Sequence, residues 1–244
     1  YALGGYYTGI NGWEFSVEGY YKDMRNVLEY KDGVSFFGSS SGWENKVEMG
    51  KGRSAGIEFM AQKTAGKTTG WLSYTLSKSD RKFTKGGINN GEWFPYKYDR
   101  RHRINLTINH KFSDRIDIGA SWVFYTGGTS TIPEEKTTVI RPHNGANNGF
   151  LWYGTYDNTN SSPTIGDVSY IEHRNNFRLP ASHRLNLGVN FNKKTKHGMR
   201  TWNISLYNAY NAMNPAWVYR GHNKQGLSVI KKYTLLPLIP SFTY

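Results

Sequence analysis

Seven histidines are scattered along the chain, at His102, His110, His143, His173, His183, His197 and His222, and none stands at a metal-ligand spacing from another His or a carboxylate. Asp99 with His102, or Glu172 with His173 and Arg174, has the composition of an acid-base pair. Neither is accompanied by a nucleophile or a Gly-rich phosphate loop, so enzyme activity has no positive support. The absence of Cys excludes disulfides and thiolate metal sites, and neither a metal nor a cofactor is expected. Flat aromatic and cationic groups do collect in one long polar stretch, as Arg141, His143, Trp152, Tyr153, Tyr156 and Arg174. Such groups stack on sugars, peptides or cofactors, and they serve equally well to pack a loop against itself.

The elements that would position these groups show themselves by strict alternation of apolar and polar residues. Ile104, Leu106 and Ile108 alternate with Asn105, Thr107 and Asn109, and Ile116, Ile118, Ala120, Trp122 and Phe124 follow after a tight turn. Leu185, Leu187, Val189 and Phe191 form a third run, and Trp202, Ile204 and Leu206 a fourth. Earlier, Trp13, Phe15, Val17 and Tyr21 oppose Glu14, Ser16 and Glu18, Ile57 and Phe59 oppose Glu58 and Met60, and Leu72, Tyr74 and Leu76 continue the pattern. Each is a half-apolar strand, about ten in all.

Connections alternate in length. Those at 9–12, 64–67, 113–115, 192–198 and around 237–240 are short, whereas 32–50, 79–94 and 127–179 are long, rich in Gly, Asn, Ser and Thr, and without sustained period. A structureless stretch of that length argues against a compact soluble domain, and it suits a barrel with short periplasmic turns and long extracellular loops. No run approaches the roughly 18 apolar residues of a membrane helix. A barrel strand needs only every second residue apolar, which is compatible with the mean hydropathy of −0.66, and an aromatic share of 16% suits membrane interfaces. The expected fold is therefore all-β, a transmembrane antiparallel β-barrel, of which residues 1–244 would be one part. Glu14, Glu18, Glu58, Asn105 and Asn186 would face the lumen, where a carboxylate either pairs with a neighbouring Arg or meets a ligand. A soluble β-sandwich binding module and a passive channel remain the alternatives. The net charge of +13 admits nucleic acid, but Lys and Arg are spread through turns and strand ends, so no nucleic-acid partner is expected.

Several segments, taken in order, resemble the C-terminal half of TonB-dependent outer-membrane transporters, especially those of Bacteroidota-type bacteria. Gly19-Tyr20-Tyr21-Lys22-Asp23-Met24-Arg25-Asn26 is similar to a family strand that ends in an aromatic pair followed by Lys-Asp. Gly50-Lys51-Gly52-Arg53-Ser54-Ala55-Gly56-Ile57-Glu58 resembles a Gly-rich strand opening, and Trp71-Leu72-Ser73-Tyr74-Thr75-Leu76-Ser77 the strand after it. Tyr98-Asp99-Arg100-Arg101-His102 and Leu179-Pro180-Ala181-Ser182-His183-Arg184-Leu185-Asn186-Leu187 resemble two further openings, the second with Asn186 where the family often has Asp. Leu206-Tyr207-Asn208-Ala209-Tyr210-Asn211 and the segment 235–244 resemble closing strands. The resemblance implies a plugged barrel of about 22 strands, whose plug, TonB-engaging segment and early strands precede Tyr1. It implies active import of a scarce solute across the bacterial outer membrane. The implied partners are outer-membrane lipid and lipopolysaccharide, TonB through the N-terminal part, and in some cases a surface lipoprotein. The transported solute stays open.

Overall fold

A side-chain period of two puts alternate residues on opposite faces of a strand, and pairing such strands gathers each kind of residue into rows. The computed structural model describes residues 1–32, 42–84, 88–141, 164–196 and 198–244, without the side chains of 135–141 and 164–169. In chain order the strands are β1 (Ala2–Tyr7), β2 (Trp13–Tyr30), β3 (Val47–Lys63), β4 (Thr68–Lys82), β5 (Phe94–Pro95), β6 (His102–Lys111), β7 (Ile116–Tyr125) and β8 (Thr129–Ser130). They continue as β9 (Glu135–Arg141), β10 (Thr164–Tyr170), β11 (Phe177–Arg178), β12 (Ser182–Thr195), β13 (Gly198–Tyr207), β14 (Pro215–His222), β15 (Ser228–Thr234) and β16 (Ile239–Thr243). One antiparallel path runs β1-β2-β3-β4-β6-β7-β12-β13-β16, with β5 paired to the end of β4. It is open between β1 and β16, and β8/β11, β9/β10 and β14/β15 form separate pairs.

Along the register one row reads Val17, Phe59, Tyr74, Ile104, Phe124 and His183, and the next reads Glu18, Glu58, Thr75, Arg103, Tyr125 and Ser182. The apolar rows are uncovered: Val17 is 50% exposed, Ile57 56%, Ile204 51% and Phe242 60%. A β-sandwich would bury this face against a second sheet, and among the described residues no sheet lies on it. Rings edge the apolar face at both ends. Trp13 stacks on Phe15, His110 meets Phe112, and Trp202 packs on Tyr244 beside the short turns. At the other end Tyr74 stacks on His102, Trp122 on Phe124, and His183 leans on Tyr210. No helix among the described residues is long and apolar enough to cross a membrane, which leaves crossing by strands untouched.

The strands run longer than alternation alone suggests. β2 continues past its aromatic pair to Tyr30, β3 begins at Val47, and β4 ends at Lys82, so the first long connection shrinks to 31–46. These extensions carry charge on their outer face, where Arg53 pairs with Asp80 at 3.1 Å and Lys78 reaches the same carboxylate at 3.4 Å. The alternation of apolar residues stops there because the surroundings are polar on both sides. The connection 126–181 is not structureless, since β9 pairs with β10 and β8 with β11 inside it. The turn between β12 and β13 is shorter than expected, only 196–197. The short connection expected around 237–240 is instead a break at 235–238 at the long-connection end, where the β14/β15 hairpin returns to the sheet and Ile239 and Pro240 already pair in β16.

A bulge at Asn26, with φ of 56°, shifts the β2 register between Arg25 and Val27. The extra residue turns Val27 and Glu29 to the polar face of the sheet and leaves Leu28 and Tyr30 outside, 52% and 40% exposed. Left-handed backbone is tolerated by Asn and disfavoured for β-branched residues. Asn26→Val is therefore expected to destabilise the folded sheet by about 1–2 kcal/mol, while Asn26→Gly stays near the parent. The temperature at which the purified full-length protein loses its folded gel mobility checks this.

Candidate functional site at the rim of the long connections

The inward turn of Val27 creates the most deeply buried spot in the described molecule. Phe83, Ile88 and Phe94 are 0–2% exposed and pack with Val27. Phe83 lies so close over Gly50 that a Cβ there would stand 2.4 Å from the ring, so only Gly fits beneath it. This cluster anchors the connection between β4 and β6 to the tops of β2 and β3.

Glu29, turned to the same side, sits between two guanidinium groups. Arg81 reaches it at 3.3 Å and Arg174 at 3.3 Å, and Arg174 also contacts Asp32 at 3.0 Å and donates to the Tyr30 carbonyl at 2.7 Å. The Arg174 backbone N–H donates to Asn89 Oδ1 at 2.6 Å, and Asn175 and Asn176 clasp Pro95, Thr131 and Ile132. The segment after β10 is thereby stitched across the ends of β2, β4 and β5.

A second knot lies at Asp99, whose side chain is fully buried. Its carboxylate accepts from Arg178 at 2.5 Å and from the Ser79 backbone N–H at 2.8 Å, with Arg101 at 3.4 Å. Arg178 also donates to the carbonyls of Asp99 and Gly127. Burial of a carboxylate requires this set of donors, and it fixes β11 against the opening of β6. Around the two knots cations lie over rings: Arg81 over Tyr96 at 3.6 Å, Arg53 over Trp93 at 4.3 Å and Arg100 over Tyr125 at 4.0 Å. Tyr98 stays 64% exposed at this rigidly held rim, whereas Trp93, 39% exposed, lies under the outward-facing Arg53 on the outer side of the wall.

The protein-family model described as "TonB dependent receptor-like, beta-barrel" matches residues 1–219. The chain belongs to this family. The open antiparallel sheet with its uncovered apolar face is thus barrel wall, and the family is one of outer-membrane transporters working with TonB. The comparison with curated proteins gave no match.

Within this receptor barrel the residues singled out from sequence are placed as follows. His143, Trp152, Tyr153 and Tyr156 lie outside the described residues. Arg141 ends β9, opposite Thr164. Arg174 is engaged in the Glu29 and Asp32 contacts, so it braces the rim. Glu14, Glu18, Glu58, Asn105 and Asn186 all share the polar face: Glu18 stands opposite Glu58, Asn105 donates to Ser73 at 3.2 Å, and Asn186 accepts from the Asn208 backbone N–H at 3.1 Å. Asp99 and His102 have separate partners, since His102 Nδ1 bonds the Tyr74 hydroxyl at 2.9 Å. His183 does the same with Tyr210 at 2.8 Å. Glu172 and His173 are an exposed pair at 3.9 Å. Among the described residues no three His, Asp or Glu converge as a metal site would require.

Glu29, Arg81, Asn89 and Arg178 escaped the sequence reading. Only their clustering near Gly- and Asn-rich segments hinted at them, and pairing across 85 positions, as between Asn89 and Arg174, leaves no local pattern. Arg178→Ala is expected to leave Asp99 buried with one cation fewer and to weaken the rim by about 3 kcal/mol or more. Limited proteolysis of the full-length receptor, comparing Arg178→Ala with Arg178→Lys, should show much faster cleavage within 126–181 for the alanine variant.

Proposed function

We propose that this chain forms wall and outer rim of a receptor that actively imports a scarce solute across the bacterial outer membrane, driven through TonB. The observation that supports it best is the uncovered apolar face, edged by rings at both ends, on a chain matched by the receptor family over 1–219. Apolar rows of this extent need a cover, and lipid is the cover that a receptor barrel of this family has on its outside. The polar face then lines the lumen, the short turns point to the periplasm and the long connections to the outside. A barrel of about 22 strands holds a plug, and the remaining strands and plug lie outside residues 1–244.

The solute is met at the rim. We assign first contact to Arg141, His143, Trp152, Tyr153 and Tyr156, and to the exposed ring of Tyr98, with Arg174 and Arg178 holding the platform. Rings and cations of this kind favour a solute with flat or sugar-like surfaces and some negative charge. A surface lipoprotein covering the rim is compatible with this arrangement, and lipopolysaccharide would border it.

Full-length protein is expected to fractionate with the outer membrane and to migrate faster on gels unheated than boiled. Cells lacking the gene should lose uptake of the solute, and cells lacking TonB should lose it equally. A soluble monomeric product would overturn the reading, and uptake that survives loss of TonB would identify a passive channel. Tyr98→Ala is expected to weaken solute binding about tenfold, measured by titration of the purified receptor, with heat-modifiable mobility retained.

A further inference from the structure

The two edges of the apolar face treat charge differently. Beside the long connections, outward charges on the strands alternate in sign and pair, as Arg53 and Lys78 do with Asp80, or Arg25 with Asp23. Beside the short turns, Lys193 stands directly opposite Arg200 across β12 and β13. They follow the Phe191–Trp202 pair by two residues, so they lie on the same face, and both are exposed. Like charges opposed in a sheet repel, with Cβ atoms about 5 Å apart. Among the described residues no carboxylate forms an ion pair with either.

The acids at this end are turned elsewhere. Asp117 lies on the polar face, accepting from Asn190 and Asn192 at 2.7 Å each. Asp114 sits in the turn 112–115 with Lys111 at 2.9 Å. The hydrogen bond from Lys111, then the charges of Lys111 and Lys194, hold its carboxyl below the ordinary carboxylate range, as expected in a field of excess positive charge. Behind the two cations is an aromatic shelf: Trp202 packs on Tyr244 at 4.5 Å and on Phe242 at 5.1 Å, and Arg200 leans over Tyr244 at 5.6 Å.

We propose that Lys193 and Arg200, backed by the Trp202–Tyr244 shelf, bind the phosphate of an anionic phospholipid headgroup in the leaflet that meets the short turns. A guanidinium donates in a fork to phosphate oxygens, and an ammonium adds a point charge from the facing strand. The rings occupy the depth where headgroup gives way to acyl chain. The site rests on the membrane-spanning reading above. It removes a repulsion that the bare hairpin leaves unanswered.

The test uses full-length receptor in nanodiscs made from an equimolar mixture of phosphatidylcholine and phosphatidylglycerol, with retained lipids counted by native mass spectrometry. Wild type is expected to keep phosphatidylglycerol preferentially. Lys193→Gln with Arg200→Gln should reduce that preference about fivefold or more. Lys231→Gln with Lys232→Gln, on the β14/β15 hairpin at the opposite end, should leave it unchanged. Equal retention of the two lipids by wild type, or an unaltered preference in the Lys193/Arg200 variant, overturns the site while the barrel stands. Loss of the preference on adding inorganic phosphate would show a free-anion site instead of a lipid one. Failure of the wild type to enter the discs overturns the membrane reading and the site together.

Discussion

The backbone hydrogen-bond ladder is the constraint on which the rest of the molecule depends. In hydrocarbon, an unpaired N–H or C=O has no water to fall back on and costs several kcal/mol, so a spanning chain of strands must pair each strand with its neighbours. From β1 to β16 the register is continuous, interrupted once by the Asn26 bulge. Because every strand between β1 and β16 on this path is paired on both sides, side-chain orientation there follows from position alone. Every second residue must suit lipid and the others are free to be polar, which is how a chain with mean hydropathy −0.66 presents an apolar surface.

The rim is built on a different basis. Once β2, β3 and β4 leave the apolar band, the sheet no longer sorts residues by solvent, and position is set by specific contacts. The Asn26 bulge sends Glu29 inward, Glu29 gathers Arg81 and Arg174, and Asp99 gathers Arg101 and Arg178. Buried ion pairs add little net stability compared with apolar packing of the same volume, but each is intolerant of losing a partner. Their effect here is to select one path for the connections after β4 and β7. Among the described residues apolar burial at the rim centres on Phe83, Ile88 and Phe94, with Ile132 buried apart from them.

This division explains what was legible in the sequence. The runs around Ile104, Ile116, Leu185 and Trp202 read as strands because lipid enforces period two there. The extensions to Tyr30, Val47 and Lys82 did not read as strands, since Asp23, Arg53 and Asp80 place charge where alternation predicts apolar residues. Arg174 was noticed for its charge and its place in a long polar stretch. That it braces the rim depends on Glu29, and the orientation of Glu29 depends on one bulged residue. Local pattern carries no trace of a contact that joins β2 to the far end of the longest connection. His102 opens β6 and His183 is the second residue of β12, and their matching bonds to Tyr74 and Tyr210 tie both strand ends to a neighbouring ring.

The inner face also changes character along its length. Near the long connections it carries Glu18, Glu58, Arg103 and Arg184, with Arg184 stacked 4.3 Å from the Tyr207 ring. Toward the short turns the rows from β6 to β16 carry mainly Asn109, Gly119, Gly188, Ser205 and Ser241, then Asp117 saturated by Asn190 and Asn192, with Asn203 donating to Asn190 at 2.6 Å, while Glu14 on β2 and Lys111 on β6 keep charge at that end. Amide chains of this kind hold their own donors and acceptors, so they stiffen the wall and offer few free charges. On β12 and β13, therefore, the charged part of the polar face lies beside the long connections and its amide-bonded part beside the short turns.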